Sequence, residues 1–384
     1  MPIVAARILP ALLPVALLLV VAQAGSAQSA DTAVREAWWH RISAGGDMRL
    51  RMETFQQDSA FDRFRGRVRL RVSAGARINK DFDVGVRLAT GSPSELTSSN
   101  QTFGQWGSRK SVTLDRAFAV YHPSRIPALR VGAGKFAYPV RLTNMIWDEN
   151  LSWEGAYEQL GTSRGGVDFK LTAVQSQMNE QRRAKDSYLY VESAEFRFAT
   201  GRYRTGLTVS SLKFTNPDPL AVDIDNDVIN GRSTNRLERN ASGSVTGYAS
   251  GFNQIDVVAD VAAETGRKGY PLKATADFVR NLDASTEDDS GIWIEGQYGE
   301  AKALRSFMVG YTFARIEQEA ALGAFVFDDM LGSNAVTHRP FVSYVPLANV
   351  NVDLGLIFSR WLKPRPEDNN NLLTRVQLSA RALF

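Results

Sequence analysis

Residues 63–72 read RFRGRVRLRV, with Arg63, Arg65, Arg67, Arg69 and Arg71 at every second position and Phe64, Gly66, Val68, Leu70 and Val72 between them. A period of two is the side-chain period of a β-strand, whereas a helix would scatter the same five residues around its circumference. The five guanidinium groups therefore share one face. The opposite face is an apolar ribbon, and the rest of the chain decides whether that ribbon meets a protein core or hydrocarbon.

The chain has 384 residues, no cysteine, 22% charged residues and a mean hydropathy of −0.22. The absence of cysteine excludes disulfide frameworks, thiol catalysis and zinc-thiolate sites. At the N-terminus Arg7 precedes an apolar run from Ile8 to Val21, broken by Pro10 and Pro14 and followed by the small-residue sites Ala22-Gln23-Ala24 and Gly25-Ser26-Ala27. That pattern predicts a secretory signal peptide over 1–27, cleaved after Ala27, then a short periplasmic segment over 28–44 and a single domain over 45–384. No later stretch supplies the ~18 to 20 continuous apolar residues of a spanning helix. The net charge of +4 falls to about +3 once Arg7 is removed. The excess is mild, and the arginines alternate with lipophilic residues instead of clustering with stacking aromatics, so nucleic acid is not an expected partner.

From Gly45 onward nearly every segment between turn signals repeats the alternation. Met48, Leu50 and Met52 alternate with Arg49 and Arg51; Val167, Phe169, Leu171 and Ala173 with Asp168, Lys170 and Thr172; Val376, Leu378, Ala380, Ala382 and Phe384 with Arg375, Gln377, Ser379 and Arg381. Connections alternate in length too. Tight turns at Asn79-Lys80, His122 to Pro127, Gly161 to Arg164, Thr200 to Arg202, Gly266 to Gly269, Tyr298 to Lys302 and Pro346 to Ala348 separate longer polar loops. Those loops run from Gly91 to Lys110, Ala137 to Ser152, Gln177 to Asp186, Thr215 to Thr246, Asp283 to Ser290, Glu317 to Thr337 and Lys363 to Asn371. Short turns at one end, long loops at the other and an even count of about sixteen strands predict an all-β, antiparallel, up-and-down transmembrane barrel. A soluble sandwich also gives alternating strands. Against it stand an apolar parity rich in Ala and Gly, a terminal strand ending in Phe384, and aromatics near strand ends where membrane interfaces lie: Trp38, Trp39, Phe136, Tyr138, Tyr188, Tyr190, Trp293, Tyr344 and Trp361.

Four segments carry a closer resemblance: VGVRLATGSPSELTSSNQTFG (84–104), LDRAFAVYHPS (114–124), GAGKFAYP (132–139) and MIWDENLSWEGAY (145–157). Together they resemble a family of proteobacterial outer-membrane proteins described as putative porins, with Ile146 to Ala156 as the most specific piece. The resemblance implies a passive channel in the outer membrane of a Gram-negative cell, with no cofactor and no named solute. The terminal Phe384 resembles the recognition signal through which the barrel assembly machinery engages outer-membrane proteins.

In such a barrel Phe64, Val68, Leu70 and Val72 face lipid, since the reverse would place cations in hydrocarbon at roughly 2 to 4 kcal/mol each near the midplane. The ladder Arg63, Arg65, Arg67, Arg69 and Arg71 then lines the lumen, joined on the same parity by Arg49, Arg51, Arg87 and Arg130, and by Arg375 and Arg381. Opposing acids point inward as well: Asp83, Asp115, Asp256, Asp260, Glu295 and Asp353, with Asp47, Glu53 and Asp277. Cations on one wall and carboxylates elsewhere predict a transverse field across an aqueous passage for small hydrophilic solutes, anion-preferring or of mixed selectivity. The plainer alternative is that each arginine pairs with a cross-strand acid and sets register. Arg116 breaks the parity of Val112, Leu114, Phe118 and Val120, which marks either a snorkelling side chain or a bulge.

The loop from Ala137 to Ser152, with Arg141, Asn144, Trp147, Asp148 and Glu149, is the candidate constriction, an extracellular surface loop being the alternative. The segment DIDNDVING (223–231) resembles a calcium loop through Asp223, Asp225 and Asp227. Val228 and Thr234 stand where such a loop needs glycine and a bidentate glutamate, which favours a solvated acidic loop and leaves no metal in the expected function. The three histidines, His40, His122 and His338, form no catalytic spacing, so no enzyme is expected; a lipid-facing His338 with Ser343 is the hydrolase alternative, and a non-conducting structural or adhesive barrel is the third. Lipid, the assembly machinery, small solutes and a homotrimer are the expected partners.

Overall fold

The computed structural model describes residues 38–384 except 105 and 367. The leader expected over 1–27 and most of the 28–44 segment lie outside the described residues, as do the side chains of Trp38 and Trp39. A 3-10 turn, Trp38–Arg41, comes first. Sixteen long strands follow: β1 Ile42–Gln56, β2 Arg63–Asn79, β3 Phe82–Thr90, β4 Val112–Tyr121, β5 Leu129–Ala137, β6 Ser152–Arg164, β7 Val167–Asn179, β8 Ser187–Thr200, β9 Tyr203–Thr215, β10 Asn253–Ala263, β11 Leu272–Asn281, β12 Ser290–Gly299, β13 Phe307–Ile316, β14 Ala335–Leu347, β15 Val350–Trp361 and β16 Leu373–Leu383. Each pairs antiparallel with its neighbours in the chain, and β1 pairs with β16, so the sheet closes on itself. Gly46 and Phe384 exchange both backbone hydrogen bonds at the seam, 2.8 and 3.1 Å. Closure leaves none of these sixteen strands at a sheet edge. The two-residue segment Gln101–Thr102 adds to β2 from within a loop.

Side-chain alternation sets the two faces. On β1 the outward Met48, Leu50 and Met52 are exposed, up to 54%, while inward Asp47 and Glu53 are buried. On β2 the outward Phe64 and Val72 are exposed, and Arg67 and Arg69 are buried. The parity breaks at one expected place. In the β3–β4 pairing Arg87 opposes Arg116 while Leu88 opposes Leu114, so Asp115 and Arg116 form a bulge. Beyond it the faces exchange: Phe118 and Val120, expected to face outward with Leu114, lie opposite the inward Gly85 and Asp83. The turn expected at Gly161 to Arg164 falls instead at Gly165-Gly166, both with φ near the left-handed region that glycine tolerates.

The interior is packed, which alternation alone did not foretell. Two long connections, 138–151 and 317–334, turn into the barrel and build an apolar core against the walls of β5 to β13. Trp147 meets Trp153 edge-on at 5.1 Å and Phe325 at 4.9 Å, and Phe325 stacks on Phe214 at 6.0 Å. Met145, Leu322, Val326 and Leu189 fill the space around them, all fully buried. Each such side chain contributes on the order of 1.5–3 kcal/mol by leaving water. Phe136 and Trp293, expected at a membrane interface, belong to this core: Phe136 packs edge-on against Tyr157 at 4.9 Å, over the directly opposed Gly132. Tyr138 leans on Trp153 at 5.9 Å, and burial pushes its hydroxyl up to about 12. The acidic segment near 223 begins in a helix, and its later part, 226–228, forms an exposed turn. Asp218–Asp225 form helix α1, started by Pro217 and anchored by buried Ala221 and Ile224.

Candidate functional site: a charged cavity inside the barrel

Apolar loops fill one side of the interior, and charge fills the other. Glu53, 1% exposed, accepts hydrogen bonds from Arg65, from Arg67 at 3.5 Å, from Arg375 at 2.5 Å and from Gln377 at 3.1 Å. Asp47 pairs with Arg69 at 2.8 Å and Arg71 at 2.6 Å. Asp329, brought in by the 317–334 loop, pairs with Arg51 at 3.0 Å and Arg375 at 2.7 Å. Three carboxylates are thus shared among six arginines. Burial alone would push the Asp329 carboxyl up, but Arg375 and Arg51 outweigh it and hold the group well below the usual carboxylate range.

The remaining predicted cations are dispersed. Arg63 is exposed at the long-loop end, 5.7 Å from the Phe55 ring. Arg87 pairs with Asp115, and Arg130 is exposed at the short-turn end. Of the predicted acids, Asp83 sits beside His122 at 2.9 Å near a turn, and Asp260 lies 3.7 Å from Arg141. Asp256 and Asp277 are buried beneath the 138–151 loop, where the Thr143 hydroxyl donates to Asp277.

A cavity of about 350 Å³ opens between the ladder wall and the tips of the two inward loops. From the sequence reading it collects Arg49, Arg51, Arg381, Glu295, Asp353, Asn144 and Glu149. The fold adds Asn100, Asp328, Asp329, Phe327, Arg339 and Phe341. Trp147 and Asp148 do not line it; they are fully buried and anchor the loop behind it. The Asp148 backbone N–H donates to Phe325 O at 2.8 Å, and Asp148 Oδ2 accepts from the Asp328 N–H at 3.0 Å. Burial and the neighbouring Asp328 push the Asp148 carboxyl well up, and burial with Asp329 pushes Asp328 up. From the opposite side Arg232 donates to the carbonyls of Phe327, Asp328 and Met330, gripping the same loop tip. The run AALGAFVF (320–327) was the available sign that this connection is not a surface loop.

The alternatives lose their geometry. His338 stands on the outer face, 2.5 Å from the Tyr311 hydroxyl, while Ser343, an odd number of residues away, points inward to Asp353 at 2.5 Å. Opposite faces preclude that His–Ser pair. Asp225 lies 3.7 Å from Arg239, and no cluster of three acidic or histidine ligands suited to a metal occurs among the described residues.

Residues 55–193 match a family model described as "Putative porin". That stretch contains the four segments in which the resemblance was read. Among solved structures, OprB of Pseudomonas putida at high pH is similar with a TM-score of 0.60 and 10% identity, covering 89% of this chain and 94% of that one. OmpF of Salmonella typhi, in complex with daunomycin, is similar with a TM-score of 0.52 and 12% identity, covering 89% of this chain and 97% of that one. No curated protein matches the chain.

Proposed function

We propose, from the porin-like barrel as premise, that the chain is an outer-membrane channel through which small hydrophilic solutes diffuse passively, with an anion-preferring or mixed selectivity. The observation that carries this reading is the charged cavity enclosed by a closed barrel whose outer face is apolar. Water-filled width bounded by fixed charges of both signs favours polar solutes and resists apolar ones. Transport needs no covalent step and no cofactor in this mechanism. Arg49, Arg51, Arg339 and Arg381 supply the positive side of the passage, and Glu149, Glu295 and Asp353 the negative. The 138–151 loop, with Asn144 and Glu149 at its tip and Trp147 and Asp148 as its anchors, narrows it.

The long loops face the cell exterior and the short turns the periplasm, as bacterial barrels are built. The terminal strand, with an outward Phe384 that is 63% exposed, offers a docking end to the assembly machinery. A homotrimer is the assembly this reading favours. Lys135 and Glu154 pair at 2.6 Å on the outer wall, Glu158 shares that face, and hydrocarbon is a poor neighbour for all three. Incorporation of the purified chain into planar bilayers tests the proposal: stepwise ion conductance is expected, and a protein that inserts without conducting would refute it.

A further inference from the structure

The cavity carries acids of its own, Glu149, Glu295, Asp328, Asp329 and Asp353, yet Arg49 and Arg381 lack the close carboxylate partner that Arg51 has among the described residues. Along the rest of the ladder Arg51, Arg65, Arg67, Arg69, Arg71 and Arg375 each face a carboxylate. Arg49 instead stands directly opposite Arg381 in the β1–β16 pairing. Like charges in directly opposed positions repel. Arg49 donates to an uncharged acceptor, Asn100 Oδ1, at 2.7 Å, and neither arginine has a carboxylate at ion-pairing distance among the described residues. A third guanidinium, Arg339, lines the same cavity and lies 5.5 Å from the Phe327 ring and 4.9 Å from that of Phe341. The Nε of all three is buried without a hydrogen-bond partner.

We propose that Arg49 and Arg381, assisted by Arg339, form a docking site for small oxyanions, carboxylate or phosphate, so that the channel favours solutes bearing such a group. The inference rests on the channel reading above and names its solute class. A guanidinium presents several N–H donors in a rigid fork that matches the oxygens of a carboxylate or phosphate, and charge-assisted bonds of this kind are roughly twice as strong as neutral ones. An oxyanion between Arg49 and Arg381 removes their repulsion and supplies the missing counter-charge. Glu295 is held by Thr312 at 2.9 Å and Asp353 by Ser343 at 2.5 Å, so these acids stay on the cavity wall. Their repulsion keeps binding weak enough for the solute to leave.

The test is block of chloride current by succinate or by inorganic phosphate, compared with potassium chloride added to equal ionic strength. In wild type, one or both anions should lower the current at concentrations where chloride does not. In Arg49→Gln/Arg381→Gln the half-blocking concentration should rise at least about tenfold, or about 1.4 kcal/mol. Arg381→Lys, which keeps the charge and loses the fork, should fall between, and Lys268→Gln in a distant turn should match wild type. Block by succinate alone assigns carboxylates, and by phosphate alone, phosphates. Equal block in wild type and double variant, or block by neither anion, overturns the site. Calorimetric titration of the detergent-solubilised barrel with the same anions reads the site without conductance: binding lost in the double variant supports it even where the channel reading fails, and no binding by wild type refutes it.

Discussion

Glu53 ties the ladder wall together, because three arginines from two strands converge on its two oxygens. Removing one partner of a buried ion cluster leaves the others uncompensated, at a cost of about 3–5 kcal/mol. Glu53→Gln should therefore lower the thermal unfolding midpoint of the detergent-solubilised barrel markedly, while Lys80→Ala in an exposed turn leaves it unchanged; equal midpoints would show that the cluster is not structural. At this scale the sequence was partly legible. The spacing from Arg63 to Arg71 placed five cations on one face, and the β1 parity put Glu53 inward. Pairing of ladder arginines with cross-strand acids was the plainer alternative, and Glu53 and Asp47 meet Arg65, Arg67, Arg69 and Arg71 in that way. The partner of Arg51 was not legible, because Asp329 reaches it from a loop nearly three hundred positions along the chain.

Two inward loops, 138–151 and 317–334, line the cavity with their tips, and each is held by specific contacts. Arg232 grips the second loop through three backbone carbonyls. Arg232→Ala frees that tip, so single-channel conductance should rise and the open level should become noisier; unchanged traces would mean the loop is held by its apolar packing alone. Where the loops meet, Asp148 and Asp328 are both raised, chiefly by burial. A carboxyl raised in the folded state contributes stability that is complete below its ordinary pKa and is lost as pH rises through the folded value. The loop junction should accordingly be quietest in acid and flicker increasingly as pH rises above the ordinary carboxylate range. Asp148→Asn, which cannot ionise, should flatten that dependence, and a wild-type record indifferent to pH would exclude the junction as its source. The first loop was a candidate constriction from its mixed charges and Trp147, with a surface loop as the alternative, and its residues pack inside the barrel. The second was read as a polar surface loop because alternation identifies strands and says nothing about where an irregular apolar segment packs. The bulge at Asp115 and Arg116 was signalled by the misfit of Arg116, but the exchange of faces that follows it at Phe118 and Val120 required the register.

The closed meander of sixteen strands was the most legible feature, since a period of two and alternating turn lengths recur along the whole chain and each repeat reports independently. The filling of the barrel was not, because inward aromatics such as Phe136 and Trp293 lie near strand ends just as interface aromatics do. The outer wall of β5 and β6 carries Lys135, Glu154 and Glu158 close together on two adjacent strands. If a second copy covers this wall, cysteines introduced at Ala133 and Ala156 should cross-link between chains in outer-membrane preparations, and Lys135→Glu should shift the purified protein toward monomer. Efficient cross-linking from Val257 on β10, with none at Ala133 or Ala156, would place the interface elsewhere.

The central claim is that a hydrated, charge-lined passage runs through this barrel past Arg49 and Arg381. Reversal potentials under a potassium chloride gradient, recorded for wild type and for Arg49→Glu/Arg381→Glu in planar bilayers, test it most directly. Discrete conductance steps are expected from both, with the reversal potential of the variant displaced toward cation selectivity. A wild-type barrel that inserts without conducting, or two channels of identical permeability ratio, would contradict the account.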